Sequence, residues 1–202
     1  MLDAAARRVI TPVFDFAGTR LARRGLKANV VTIAGLSIGA LVIPALAIEA
    51  YGIALGIVLV NRLLDGLDGA VARSSGITDL GGYLDIVGDF LFYSAVPFGF
   101  ALARPEENAL ASAFVIFSFI GTGASFLTYA IMAAKRDITT DIRGRKSLYY
   151  LGGLTEGTET IAFLVLICVV PDNFSLIAWI FGVVCWVTTF SRMLAAATEF
   201  GD

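Results

Sequence analysis

The chain has 202 residues, 57% of them hydrophobic and 16% charged, with a mean hydropathy of +0.82, so a single membrane domain is expected in place of a soluble one. The net charge of −2 gives no electrostatic reason to expect a nucleic-acid partner. Histidine is absent, which excludes His-based zinc sites, Ser-His-Asp hydrolysis and imidazole bases and leaves acid–base chemistry to carboxylate, lysine or tyrosine.

Residues 1–27 come first in the chain. Val9, Ile10, Val13, Phe14, Phe16 and Leu21 are mixed with Arg7, Arg8, Arg20, Arg23 and Arg24, the pattern of an amphipathic helix lying in the headgroup layer. A basic flank that only sets topology is the plainer alternative. The segment lacks the short apolar core and cleavage site of a signal peptide, so no processing is expected.

Residues 28–202 read as one all-α membrane domain of six transmembrane helices. A span needs about 20 mostly apolar residues. Ala28 to Ile48, Asn108 to Ala134 and Asn173 to Ser191 meet this cleanly. Three further apolar stretches carry charge: Gly52 to Ala72 with Arg62, Asp65 and Asp68; Gly81 to Leu102 with Asp85 and Asp89; and Leu151 to Val170 with Glu156 and Glu159 near its start.

The basic residues before span one (Arg7, Arg8, Arg20, Arg23, Arg24, Lys27), between spans two and three (Arg73) and between spans four and five (Lys135, Arg136, Arg143, Arg145, Lys146) would all lie on one side. The opposite connections hold Arg104. By the positive-inside rule both termini are cytoplasmic, in an inner (cytoplasmic) membrane. Cys168 and Cys185 sit in uncharged apolar runs, where packing is the expected role.

Four aspartates at membrane depth demand a polar cavity, because each buried charge costs several kcal/mol. Asp65 and Asp68 are separated by about 60° on a helical wheel, and Asp85 and Asp89 by about 40°, so each pair shares a helix face. Spans two and three are joined by a short turn through Ser74, Ser75, Gly76, Ile77 and Thr78. In such an antiparallel hairpin Asp65 lies level with Asp89, and Asp68 with Asp85. The four should therefore meet in the cytoplasmic half of the bilayer, with Asp79 closer to the turn and solvated.

Carboxylates gathered so closely need cations to stay ionised. Hard oxygen ligands select Mg²⁺, Mn²⁺ or Ca²⁺, and four of them suit a pair of ions able to clamp a diphosphate. Ion pairing to Arg62 and Arg73 is the structural alternative, with too few cations to absorb all four. Gly66, Gly69, Gly81, Gly82 and Gly88 surround the aspartates, where they either admit a bulky ligand or serve helix packing.

Read together, Asp65, Asp68, Gly69, Ala72, Arg73, Gly81, Asp85 and Asp89 stand at the spacing of a named pattern. It resembles the motif of the CDP-alcohol phosphotransferase family, and the six spans, cytoplasmic termini and leading helix extend the likeness over the chain. Asn29, Val30, Val31 and Thr32 open span one where the family often has Pro-Asn-x-x-Thr, with Ala28 in place of the proline.

The resemblance implies phospholipid synthesis: a substituted phosphate group, phosphatidyl from CDP-diacylglycerol, moves to a small alcohol and CMP is released. It also implies that Asp65, Asp68, Asp85 and Asp89 hold two Mg²⁺ or Mn²⁺ ions, with Asp89 also the base that takes the acceptor's proton. Asn29, Thr32, Asp65, Gly69, Ala72 and Arg73 would line the CDP pocket.

Two acceptor classes remain open. Arg143, Arg145, Lys146 and Arg192 suit a phosphate on the acceptor, although the loop cluster also serves as a topology signal and Arg192 could snorkel. Glu156 and Glu159, three apart, suit a cationic acceptor such as serine, ethanolamine or choline, or pair with Lys146 and Arg192.

Two rival classes stand behind the family reading. Intramembrane prenyltransferases also use Asp-x-x-Asp clusters, but without the Gly-x-x-Ala-Arg continuation. A small cation transporter predicts acids spread through the depth of the membrane. Gly121, Thr122, Gly123, Ala124 and Ser125 form a small-residue run that permits a homodimer.

Overall fold

The computed structural model describes residues 2–136 and 153–201, with residues 2–10 described by their helical backbone. Every regular element among them is helical: α1 (Leu2–Arg23), α2 (Ala28–Ala40), α3 (Val42–Ala47), α4 (Tyr51–Ser75), α5 (Asp79–Ala103), α6 (Pro105–Lys135), α7 (Gly157–Val169), a 3₁₀ turn (Pro171–Asn173) and α8 (Phe174–Phe200).

The first expected span is two helices, because the ring of Pro44 removes the amide that would bond the Ala40 carbonyl and the helix breaks at Leu41. Together they run over Ala28–Ala47, long and apolar enough to cross a membrane, as are α5, α6 and Pro171–Phe200. α4 matches α5 in length at 25 residues but carries Arg62, Asp65, Asp68 and Arg73. α7 has 13 residues, about 20 Å of rise against a hydrocarbon layer of about 30 Å.

The turn between the two acidic helices forms where expected. α4 ends at Gly76, whose φ of 110° suits a residue without Cβ. α5 starts at Thr78, whose hydroxyl accepts from the Gly81 amide at 3.1 Å. Asp79, the first residue of α5, is exposed, in line with its expected solvation.

α2 packs on both α4 and α5, α6 on α5 and α8, and α7 on α4. The apolar core lies between the halves of these helices remote from the α4–α5 turn, where Phe100 stacks on Phe174 at 4.3 Å and Phe163 on Phe181 at 4.2 Å. Cys168 and Cys185 are free and buried in this core, the packing role their apolar surroundings suggest.

α1 does more than lie apart from the bundle. It runs against α4, and an added Cβ on Gly18 would stand 2.7 Å from the backbone carbon of Ala70. Phe14 covers Gly66 in the same contact, while Val13 and Phe16 face outward, each 70% exposed. The small-residue run of α6 is likewise used within the chain: Gly121 faces Thr189 and Trp186 of α8, and Gly123 faces Phe90 of α5.

Candidate active site

The site is built where the N-terminal turns of α2 and the acidic stretches of α4 and α5 converge. One pocket is lined by Thr32, Gly35, Leu36, Asn61, Arg62, Asp65, Asp68, Asp85, Gly88 and Asp89. All four sequence-predicted aspartates therefore border one space, from two helices joined by a three-residue turn.

Within it, oxygens of Asp65, Asp68 and Asp85 all lie within 4.8 Å of one another. Opposite ligands on Mg²⁺ at 2.0–2.1 Å stand about 4.2 Å apart, so a small closure of these side chains suffices to hold a hard divalent ion. Asp68 is buried, Asp65 half-buried and Asp85 exposed, which grades the triad from the protein interior toward the pocket mouth. The hydroxyl of Thr32 donates to Asp68 Oδ2 at 2.6 Å, fixing one carboxylate from the side of α2.

Asp89 stands apart from this triad. Arg62 Nη1 donates to its Oδ1 at 2.8 Å, and the Tyr93 hydroxyl donates to its Oδ2 at 3.3 Å. The same Nη1 reaches Asp65 Oδ2 at 3.6 Å. Sequence reasoning named Arg62 as a counterion in general but not its choice of Asp89, and it missed Asn61, Tyr93 and Phe92, which frame the guanidinium. The spacing did hold that signal, because Arg62 is one turn before Asp65 and Tyr93 one turn after Asp89.

Arg73 turns away from the aspartates of α4 and α5 and donates through Nε and Nη2 to Asp15 of α1, at 3.1 and 2.7 Å. Thr19 and Ser74 share a hydroxyl hydrogen bond of 2.9 Å beside it. Asn29 lies next to Gly81, and Gly69 next to Arg73. Of the residues expected around CDP, Thr32 and Asp65 line the acidic pocket, while Asn29, Gly69, Ala72 and Arg73 lie at the same end of α2 and α4.

The carboxylates expected to attract a cationic acceptor have a local task. Glu156 and Glu159 form a reciprocal capping box at the start of α7, in which Glu159 Oε2 accepts from the Glu156 amide at 3.2 Å. Glu156 Oε1 also accepts from the Gly153 amide at 3.1 Å. The amphiphilic Thr155, level with them, bonds Thr188 of α8. Arg192 is buried on α8, donates to the Thr122 carbonyl at 3.0 Å and lies 5.5 Å from the Phe126 ring. Arg143, Arg145 and Lys146 lie outside the described residues.

Comparison with known proteins bears on this arrangement. The family model for CDP-alcohol phosphatidyltransferase matches residues 26–197. The chain is 52% identical over 193 residues to the inner membrane protein YnjF of Escherichia coli K12, covering 96% of this chain and 94% of that one. Its fold is similar to phosphatidylinositol phosphate synthase of Mycobacterium tuberculosis, solved with CDP-DAG bound, with a TM-score of 0.75 and 21% identity over 93% of this chain and 94% of that chain.

Proposed function

This chain belongs to the CDP-alcohol phosphatidyltransferase family, and from that premise we propose that it moves a phosphatidyl group from CDP-diacylglycerol to a phosphorylated small alcohol, releasing CMP. It is a multi-pass membrane transferase of phospholipid synthesis. The observation that carries the reading is the approach of three carboxylate oxygens, from two helices, to within 4.8 Å of one another in a polar pocket.

In this reading Asp65, Asp68 and Asp85 hold a divalent ion, Mg²⁺ or Mn²⁺. When bound, it neutralises the diphosphate and the charge that grows on the departing CMP oxygen. Thr32 keeps Asp68 oriented through its 2.6 Å hydrogen bond. Asp89 takes the proton from the acceptor hydroxyl, whose oxygen attacks the phosphorus on the lipid side as the bond to CMP breaks. A second ion would need Asp89 released from Arg62.

The acceptor's phosphate is assigned to Arg192, whose forked donors match phosphate oxygens, with Arg143, Arg145 and Lys146 as further candidate cations by sequence. Glu156 and Glu159 take part in the α7 cap, which favours the phosphorylated over the cationic acceptor. A pocket and termini on the cytoplasmic side are the reading supported by Arg20, Arg23, Arg24, Lys27, Arg73 and Lys135 at the site end of the helices, and six spans would need α4 and α7 to join the four long apolar ones. In the Gly121 to Ser125 run Gly121 and Gly123 pack within the chain, so a homodimer through it would rest on the exposed Ala124.

The test is purified protein with CDP-diacylglycerol and Mg²⁺ or Mn²⁺, with CMP release read across acceptors. Turnover with glycerol phosphate or inositol phosphate, and a raised acceptor KM in Arg192→Gln, is expected. Turnover with serine, ethanolamine or choline in their place would overturn the acceptor assignment, and no CMP release with any acceptor would overturn the transfer itself.

A further inference from the structure

The segment that enters α7 is pinned to α8 in a place with little water. Thr155, Glu156, Thr188 and Arg192 are all buried there. The Thr188 hydroxyl is used to capacity: its oxygen accepts from the Thr155 amide at 3.1 Å and from the Thr155 hydroxyl at 3.0 Å, and it donates to the Val184 carbonyl at 3.2 Å. The capping box already satisfies the start of α7. This second tie therefore fixes where the segment lies against α8, a task the helix itself does not require.

Gly153 marks how close the approach is. Its amide donates to Glu156 Oε1 at 3.1 Å, and a Cβ added to it would overlap Thr188 Cγ2 and stand 3.2 Å from Arg192 Nη2. The backbone at Gly153 thus forms one wall beside the guanidinium. A second wall comes from α6, through the Thr122 carbonyl, which accepts from Nη1 at 3.0 Å, and the Phe126 ring, whose centroid is 5.5 Å away. This wall continues toward α5, because Gly123 faces Phe90, the residue after Asp89.

Resting on the reading that a phosphorylated alcohol is the acceptor and that Arg192 holds its phosphate, we infer that Thr188 and Gly153 are positioning residues of that subsite. Thr188 ties the entry of α7 to α8. Gly153, without a side chain, lets the tied backbone close on the guanidinium. The two walls hold the plane of the fork in one orientation before the acceptor arrives, so less freedom is lost when its donors pair with phosphate oxygens. Neither residue has to touch the acceptor, and each acts through Arg192.

The experiment measures CMP release by the full chain in detergent, with CDP-diacylglycerol, Mn²⁺ and either glycerol phosphate or inositol phosphate, whichever the wild type turns over. Thr188→Val keeps the shape and removes the hydroxyl. It is expected to raise the acceptor KM about tenfold, the scale of one buried hydrogen bond, with kcat and the KM for CDP-diacylglycerol within about threefold. Thr188→Ser is expected to bring the acceptor KM back near the wild-type value. In Arg192→Gln, the further change Thr188→Val is expected to alter the acceptor KM by less than about twofold, because the residue it acts through is gone. An unchanged acceptor KM in Thr188→Val, equal rises in both KM values, or a full effect of Thr188→Val in the Arg192→Gln background would overturn the inference.

Inorganic phosphate supplies a readout without turnover. It is expected to raise the thermal midpoint of the wild type, to have no such effect on Arg192→Gln, and to give a smaller rise in Thr188→Val. No rise in the wild type, or equal rises in wild type and Thr188→Val, would overturn the inference. Should Thr188→Val not fold, Gly153→Ala presses on the same guanidinium, and a raised acceptor KM is expected there too; an unchanged one counts against the inference. A wild-type chain that binds phosphate through Arg192 yet releases no CMP rejects the transfer reading, while the phosphate shifts still decide the positioning role of Thr188.

Discussion

Arg62 and Arg104 each gather carboxylates and stand near a tyrosine, Arg62 at the middle of α4 and Arg104 at the end of α5 remote from the α4–α5 turn. Arg62 is enclosed between two rings and reaches Asp89 and Asp65. Arg104, at the junction of α5 and α6, donates to Glu49 at 3.0 and 2.7 Å and to Asp172 at 2.9 Å, with Glu107 at 3.9 Å. It thereby ties together the α3–α4, α5–α6 and α7–α8 connections. Yet Asp172 is 80% exposed, and water and salt screen such contacts.

The similar contact lists differ in what replaces them. An exposed ion pair that opens is solvated at once, whereas a group enclosed beside the pocket has only protein to turn to. Function is therefore expected to be concentrated at the Arg62 end, and the Arg104 end to act as a weak brace.

The sharpest break between the two ends should come from Asp68→Asn, which removes one carboxylate charge from the triad and leaves a weaker, neutral acceptor for the Thr32 hydrogen bond. A fall in CMP release on the order of 10³-fold is expected, with Arg104→Gln remaining near wild type. Comparable losses in both variants would erase the distinction.

An intermediate effect is expected where α1 meets α4 near the site. Gly18→Val places a side chain where an added Cβ already stands 2.6 Å from the Ala70 Cβ and 2.7 Å from its backbone. Overpacking of this kind costs about 1–3 kcal/mol, read as a lower thermal midpoint. A midpoint at the wild-type value would mean that α1 does not rest on α4.

The smallest effect belongs to Arg104→Gln, a slight drop in thermal midpoint that vanishes in high salt. Its signature is in pH. Hydrogen bonds from Arg104, and then from Tyr51, hold the Glu49 carboxyl below its ordinary value of 4.5. The folded state thus favours the ionised carboxylate, and its contribution is present above that ordinary value and lost as pH falls through the lowered one. Wild-type stability should decline more steeply than that of Arg104→Gln on acidification into that range. Parallel curves would show that Glu49 gains nothing from Arg104.

Much of the site was legible in sequence because helical periodicity and a short hairpin turn are local rules. Asp65 and Asp68 had to share a face, as did Asp85 and Asp89, and the turn at residues 76–78 set their depths level. The cost of charge at membrane depth then made a shared polar pocket the expected solution, and the structure lines one pocket with all four. The break of the first span at Pro44 was equally a local matter, although its effect on the helix was not anticipated.

What the linear sequence could not decide was which partner each charged group would choose. Arg62 prefers Asp89, 27 positions away, and Arg73 prefers Asp15, 58 positions away on α1. Glu156 and Glu159 close a helix end in place of lining a subsite. Each choice depends on how helices distant in sequence pack, on glycines that let α1 reach α4, and on which donors remain once the backbone is satisfied. Sequence set the chemistry available and its register along the helices; the tertiary packing allotted it, because long-range neighbours and not helical period fix where a flexible charged side chain comes to rest.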